Sequence, residues 1–285
     1  MPIENRYETL LVSIKNEGMN VAVMANFCGE PFSYFHCNNC TENEIMNNKF
    51  KLYDLSTLYN PDYRSKTLSE LRKLSLNIYQ TLHNDPNVIN EIKVATTAQS
   101  RSKWWLKLRC GRITASNLKD VCRTTIMRPA MSTIRKICYT ESNSLNTPSI
   151  KYGRKFEDQA LQKLYESVVD KHQNLTLIKS GLYISESDPC LGASPDAIFQ
   201  CDCHGIIAVE VKCPYSVKDV DDIRNVLLKL SDPFILFDEN GNTIMNINHR
   251  YFYQILMQIH ICRANMGYFF IWSPKETILF EIQKE

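Results

Sequence analysis

Two acids and a lysine stand at a spacing that can hold a cation against a phosphate. They are Asp196, then after thirteen intervening residues Glu210, and after one more Lys212. Paired carboxylates are what a hard divalent cation such as magnesium takes as ligands, with water filling the remaining positions. An ammonium group beside them can position a water, but at neutral pH it is mostly protonated, so the cation must do most of the activation. A solvated strand face would also give an acid and a base two residues apart. The flanking residues favour the cation. Asp196 follows Ser194-Pro195, and proline has no N–H to give a ladder, so the aspartate is expected at an edge or bend where a site can open.

The elements that must bring these groups together are legible in residues 191–213. Two short apolar runs flank a polar turn at residues 200–205, the pattern of a β-hairpin with a loop longer than two residues. In the second run Ile207, Val209 and Val211 face one way, and Ala208, Glu210 and Lys212 the other. Folding about the turn then sets Asp196 opposite Glu210, or within a residue of it.

Ser194-Pro195-Asp196 with Glu210-Val211-Lys212-Cys213-Pro214 resembles the core motif of the PD-(D/E)XK nuclease superfamily. In particular it is similar to the YqaJ-type viral recombinase branch that includes phage lambda exonuclease. Further motifs carry the resemblance. Residues 104–116, WWLKLRCGRITAS, resemble the family's opening motif, whose arginine and final serine bind the phosphate at a DNA 5′ end. Carried onto this chain, those residues are Arg109 and Ser116. Read without the family, Gly111 is expected to end a helix, and Thr114 or Ser116 to cap the next one. A helix N-terminus flanked by arginine favours an anion.

Tyr152-Gly153-Arg154-Lys155-Phe156-Glu157 opens a helix expected to reach Val168, with Leu161, Leu164, Tyr165 and Val168 as its buried stripe. Glu157 falls on that apolar face, where a carboxylate is costly unless paired or metal-bound. The family's Gly-x-x-x-Glu helix implies the metal role. A second helix is expected over residues 250–263, on which Gln254 and Gln258 are four apart and share a face. The resemblance places a glutamine here beside the catalytic lysine. Register against Trp272 to Pro274 favours Gln254, with Gln258 as its substitute.

The remaining chain sets the frame. At 285 residues it suits one large domain, or one domain with an appendage. The expected division is a mostly irregular and helical N-terminal region over residues 1–96, with the nuclease-like domain over 97–285. A helix is expected over residues 68–83, with Thr67 and Glu70 as a capping box and Pro86 past its end. Residues 7–24 and 29–48 show no clean period. Residues 181–184 read as a strand before the hairpin, and residues 215–230 as a helix closed by Asp232-Pro233. Residues 268–272 and 277–282 read as a closing β pair. Family members continue beyond such a pair, so a truncated or minimal copy is expected.

Hydrophobic residues make up 44% and charged residues 22%, which excludes general disorder. The longest apolar stretches are far short of a membrane span, and no secretory signal opens the chain, so an intracellular protein is expected. Glycosylation sequons at Asn39 and Asn174 then carry no meaning. Net charge is only +2, yet residues 101–112 hold five basic residues (Arg101, Lys103, Lys107, Arg109, Arg112), no acid, and the interleaved Trp104 and Trp105. Such a run can hold phosphates and stack on bases; a solvated helix face with buried tryptophans would look similar. Of eleven cysteines, two groups have a composition that can bind zinc: His36, Cys37 and Cys40, and Cys201 with Cys203 and His204. Free thiols are the alternative.

The resemblance implies an α/β fold of the α+β kind, a restriction-endonuclease-like central mixed sheet flanked by helices. It implies a metal-dependent nuclease, a 5′-to-3′ exonuclease on linear duplex DNA ends, using magnesium or manganese and no organic cofactor. Asp196, Glu210 and Glu157 hold the metal; Lys212 and Gln254 complete the catalytic set. A homo-oligomer is compatible with this reading, and a membrane partner is not expected. A non-catalytic DNA-binding or protein-interaction module on the same fold is the alternative.

Overall fold

The computed structural model describes residues 49–140 and 147–284. The irregular stretches, the His36, Cys37 and Cys40 group, and the Asn39 sequon lie outside them. In chain order the helices are α1 (Leu68–Gln80), α2 (Pro86–Ala95), α3 (Lys103–Arg109), α4 (Leu118–Arg123), α5 (Met131–Cys138), α6 (Pro148–Val168), α7 (Ile223–Leu228) and α8 (Arg250–Ile261). The strands are β1 (Ile113–Thr114), β2 (Thr176–Lys179), β3 (Tyr183–Ile184), β4 (Leu191–Ala193), β5 (Ala197–Cys201) and β6 (Gly205–Lys212). They continue as β7 (Ile235–Phe237), β8 (Thr243–Met245), β9 (Met266–Trp272) and β10 (Thr277–Gln283). No described helix is long and apolar enough to cross a membrane. The chain divides into two compact units, one containing residues 49–140 and 181–192, the other residues 147–180 and 193–284.

The first unit is mostly helical. Thr67 and Glu70 form the expected capping box on α1, each side chain accepting from the other's backbone N–H. Pro86 does more than follow α1: with Asp85 accepting from the Asn87 N–H at 2.9 Å, it opens α2 as its first residue. Helix α3 ends at Arg109, and Gly111 takes φ +78, as the expected break requires. Beyond it the expectation of a capped turn fails. Ile113 and Thr114 form a strand paired in parallel with Leu191 and Gly192, and no side-chain cap comes from Thr114 or Asn117 at the turns that follow.

Arg112 holds this region together. It is 1% exposed, and its Nε donates to the Pro189 carbonyl at 2.9 Å. Its guanidinium also donates to the carbonyls of Tyr53, at 2.7 Å, and Leu108. Burial lowers its pKa to about 10, which leaves it charged at neutral pH. Arg112 therefore cannot serve the phosphate-binding role that the basic run offered it.

The second unit is built on a five-stranded sheet of order β10-β9-β6-β5-β2. Strands β6 and β9 run parallel and the other neighbours antiparallel, so the sheet is mixed, as expected. Alternation sorts its faces. Ile207, Val209, Val211, Phe199, Tyr268 and Phe270 pack with Leu161, Leu164 and Val168 of α6 in one core cluster. On the other face α8 lies on β9 so closely that a Cβ on Gly267 would come 2.8 Å from Ile255 and 2.9 Å from Ile259. Helices on both faces let a central strand be buried throughout.

Three expectations need correcting here. The first apolar run, residues 191–199, is not one strand: Leu191–Ala193 pairs in the small sheet β1-β4-β3, and Pro195, lacking an N–H, marks the break before β5. The strand expected before the hairpin, β3, belongs to that small sheet, while β2, which the sequence did not signal, pairs with β5. Residues 215–230 are not one helix. A short 3₁₀ turn at Tyr215–Val217 gives way to α7, which Asp222 restarts by accepting from the Arg224 and Asn225 N–H groups.

Because helix and strand meet without room for a methyl group, Gly267→Ala should cost about 1–3 kcal/mol through forced displacement of α8. Urea denaturation should show a lower midpoint with an unchanged slope.

Candidate active site

The hairpin register delivers the expected meeting of acids. Strands β5 and β6 pair from Cys201 with Gly205 back to Ala197 with Val209, and the Asp196 N–H continues the ladder to the Val209 carbonyl at 2.9 Å. Asp196 therefore lies beside Glu210. One Asp196 oxygen, Oδ2, accepts from the Val211 N–H at 2.7 Å, which fixes the carboxylate at the strand end.

Glu210 is 2% exposed in the middle of the sheet, and three donors satisfy it. Gln254 Nε2 donates to Oε1 at 2.5 Å and Gln258 Nε2 to Oε2 at 2.6 Å. Lys212 Nζ donates to Oε1 as well. Residues four apart on α8 share one face, and this face meets the polar side of β6. Lys212 also lies 4.9 Å over the Tyr251 ring, one turn before Gln254. The expectation for the glutamines is thus refined: both hold the glutamate, and neither donates to or accepts from Lys212 among the described contacts. Tyr251 was not anticipated, and only its place one turn before Gln254 signalled it.

Helix α6 supplies the third acid. Glu157 is half-buried and within electrostatic reach of both Glu210 and Lys212. Burial first, and then the charge of Glu210, raise its pKa above the ordinary 4.5. The same two causes, in the same order, push Asp196 well above its ordinary 3.8. Lys212 moves the other way from what burial alone dictates. Desolvation lowers it, but Glu210, Tyr251 and Asp196 outweigh that and keep the ammonium protonated.

Three carboxylates, of which Glu157 and Asp196 are pushed toward the protonated form by burial and by Glu210, offer hard oxygen donors that fit a divalent cation able to offset their charge. The fixed ammonium fits as a donor to a phosphate or water and not as a base.

Arg109 and Ser116 lie in the first unit. The Arg109 guanidinium stacks 3.8 Å from the Trp105 ring centre, and the Ser116 hydroxyl is 3.2 Å from that of Thr114. Other members of the basic run have structural roles. Lys107 pairs with buried Asp54 at 3.1 Å, and Trp104 packs edge-on against Phe50 at 5.4 Å.

Comparison with known families matches residues 104–265 to the YqaJ-like viral recombinase domain. An alkaline nuclease of Autographa californica nuclear polyhedrosis virus is 23% identical over 212 residues, which cover 69% of this chain and 47% of that protein. The chain thus spans about half the length of this curated relative. Among solved structures, the alkaline exonuclease LHK-Exo from Laribacter hongkongensis is 16% identical, covering 65% of this chain and 83% of that one, with a TM-score of 0.44. The shutoff and exonuclease protein of Kaposi's sarcoma-associated herpesvirus is 12% identical, covering 91% and 80%, with a TM-score of 0.45.

The raised carboxylates make a stability prediction for metal-free protein. A folded-state pKa above the unfolded one means the folded form binds the proton more tightly. The resulting contribution is fully present below the ordinary 3.8 of Asp196 and is lost as pH rises through its raised value. Asp196→Asn, which keeps an oxygen for the Val211 N–H, should therefore be more stable than the native chain at neutral pH in EDTA. The advantage should shrink on acidification, as read by paired thermal melts across pH.

Proposed function

Since the chain belongs to the YqaJ-like viral recombinase domain family, we propose that it is a metal-dependent DNA nuclease acting as a 5′-to-3′ exonuclease on linear duplex ends. The observation that carries the reading is the convergence of Glu157, Asp196 and Glu210 with a protonated Lys212. The alkaline nuclease relative supports the same class of chemistry.

In this reading Asp196, Glu210 and Glu157 hold magnesium or manganese. When bound, the ion polarises the scissile phosphate and makes water a nucleophile near neutral pH. The chain's own groups do the positioning. Gln254 and Gln258 clamp both oxygens of Glu210, which leaves its carboxylate one orientation. Lys212, steadied over Tyr251, presents its ammonium to the water and to the charge growing on the phosphorane. It cannot accept the water's proton while it remains charged.

The polarity rests on Arg109 and Ser116 gripping a 5′-terminal phosphate. Stacking on Trp105 pre-sets the Arg109 plane, and a planar guanidinium can meet a phosphate through two N–H groups.

The test is degradation of linear duplex, with and without a 5′ phosphate, beside closed circular DNA, in magnesium and in EDTA. Loss of the linear 5′-phosphorylated substrate only with magnesium is expected. Lys212→Ala and Glu210→Ala should each lower the rate by about 10²–10³-fold or more while binding persists. Binding without cleavage under magnesium or manganese would overturn the enzyme reading in favour of a DNA-binding module. Separately, Arg109→Ala should erase the preference for a 5′ phosphate and reduce the salt slope of binding by about 1.

A further inference from the structure

At the turn end of the β5–β6 hairpin, four metal-ligating side chains meet. Cys201 closes β5, Cys203 and His204 form the turn, and His172 arrives from the loop after α6. One ligand atom from each lies within 4.8 Å of all the others. His172 Nδ1 is 3.4 Å from Cys201 Sγ and 3.5 Å from Cys203 Sγ, and the two sulfurs are 3.5 Å apart. His204 Nδ1 is 3.0 Å from Cys203 Sγ.

We propose that His172, Cys201, Cys203 and His204 form a tetrahedral structural zinc site that clips the hairpin turn to the loop following α6. Zinc takes sulfur at about 2.3 Å and imidazole nitrogen at about 2.0–2.1 Å, so donors around it stand roughly 3.3–3.8 Å apart. The His172–Cys201, His172–Cys203 and Cys201–Cys203 pairs already do, the His204–Cys203 pair must open by a few tenths of an ångström, and the widest pair needs about an ångström of contraction. Four protein donors leave no open position, which makes the site structural and not catalytic.

A second observation points to the same ligand set. His172 Nε2 lies 2.7 Å from the Tyr268 hydroxyl on β9. An imidazole binding metal through Nδ1 carries its proton on Nε2, and that proton needs an acceptor, which Tyr268 supplies. The two loops are also knitted independently of any metal. The Asp202 N–H donates to the Gln173 carbonyl at 2.9 Å, and Asn174 Nδ2 to Asp202 at 2.6 Å. The ligands are therefore held in place before an ion arrives.

Composition singled out Cys201, Cys203 and His204 as candidate zinc ligands, but spacing gave no recognised pattern and did not disclose His172. Cys-x-Cys-His is tighter than the common Cys-x-x-Cys, and His172 stands 29 positions before Cys201 with no motif around it. The site is also remote from the carboxylates. Glu210 stands five positions beyond Gly205 along β6, roughly 16 Å at about 3.3 Å per residue.

The experiment is metal analysis of the full chain purified under reducing conditions and dialysed against magnesium. One zinc ion per chain is expected. Cobalt added to the stripped protein should give tetrahedral d–d bands and a thiolate-to-cobalt charge-transfer band. His172→Ala and the exposed Cys203→Ser should lose both signals. Tyr268→Phe, which removes only the hydroxyl, should keep the spectrum with affinity lowered about 10–100-fold. Zinc retained in both His172→Ala and Cys203→Ser would place the metal elsewhere and overturn the assignment. So would native protein with neither zinc nor a thiolate–cobalt band, or a Cys201–Cys203 disulfide in its place. None of these outcomes depends on nuclease activity, so the assignment and the functional reading fail separately.

Discussion

A carboxylate buried in a central strand governs much of the second unit. Taking an isolated carboxylate out of water costs several kcal/mol even after the surroundings relax, so Glu210 survives in β6 only with its oxygens satisfied. Lys212 from the same strand and Gln254 and Gln258 from α8 supply that. Their demands spread outward. Both amides reach one carboxylate only if α8 lies flat on the sheet, and Gly267 lets it lie there. Gln258 is fully buried, so its own amide depends on Glu210 in return. The arrangement is mutual, and loss of either partner would leave a buried polar group unmet.

How much of this could be read from the sequence depends on the range of the interaction. Local periodic signals were faithful. Alternation in β6 separated Glu210 and Lys212 from the valines, the Thr67–Glu70 box opened α1, and the four-residue spacing of Gln254 and Gln258 put them on one face. Signals failed where a residue's partner lay far along the chain. Arg112 looked like one more cation in a basic run, because the carbonyls of Tyr53 and Pro189 that consume it lie 59 and 77 positions away. His172 carried no motif for the same reason. Helix α7 was overextended because amphipathic spacing runs through the break that Asp222 caps.

The glutamines show the boundary between the two cases. Their common face was legible and their target was not. Family resemblance directed them to the lysine, whereas the carboxylate between them offers two acceptor oxygens, and the lysine offers none. An amide N–H cannot donate to an ammonium, and although an amide oxygen could accept from one, Lys212 here donates to Glu210, the acceptor that both amides also use. Any influence these amides have on Lys212 passes through the glutamate they share.

That logic bears on the hairpin as a whole. A slip of one residue between β5 and β6 would turn Glu210 toward the apolar Leu161 and Leu164 face, away from Gln254, Gln258 and Lys212, and would carry Asp196 out of line. The register is therefore fixed at the carboxylate end by the cost of an unmet charge. At the turn end the backbone has weaker means, since Cys203 and His204 are exposed and the loop is short. The hydrogen bonds of Asp202 to residues 173 and 174 tether that end to the loop after α6, which is the helix that carries Glu157. A metal bound by the four donors there would strengthen the same tether. Holding the turn to α6 then bears on all three acids together, because the hairpin sets Asp196 against Glu210 and the helix sets Glu157 against both.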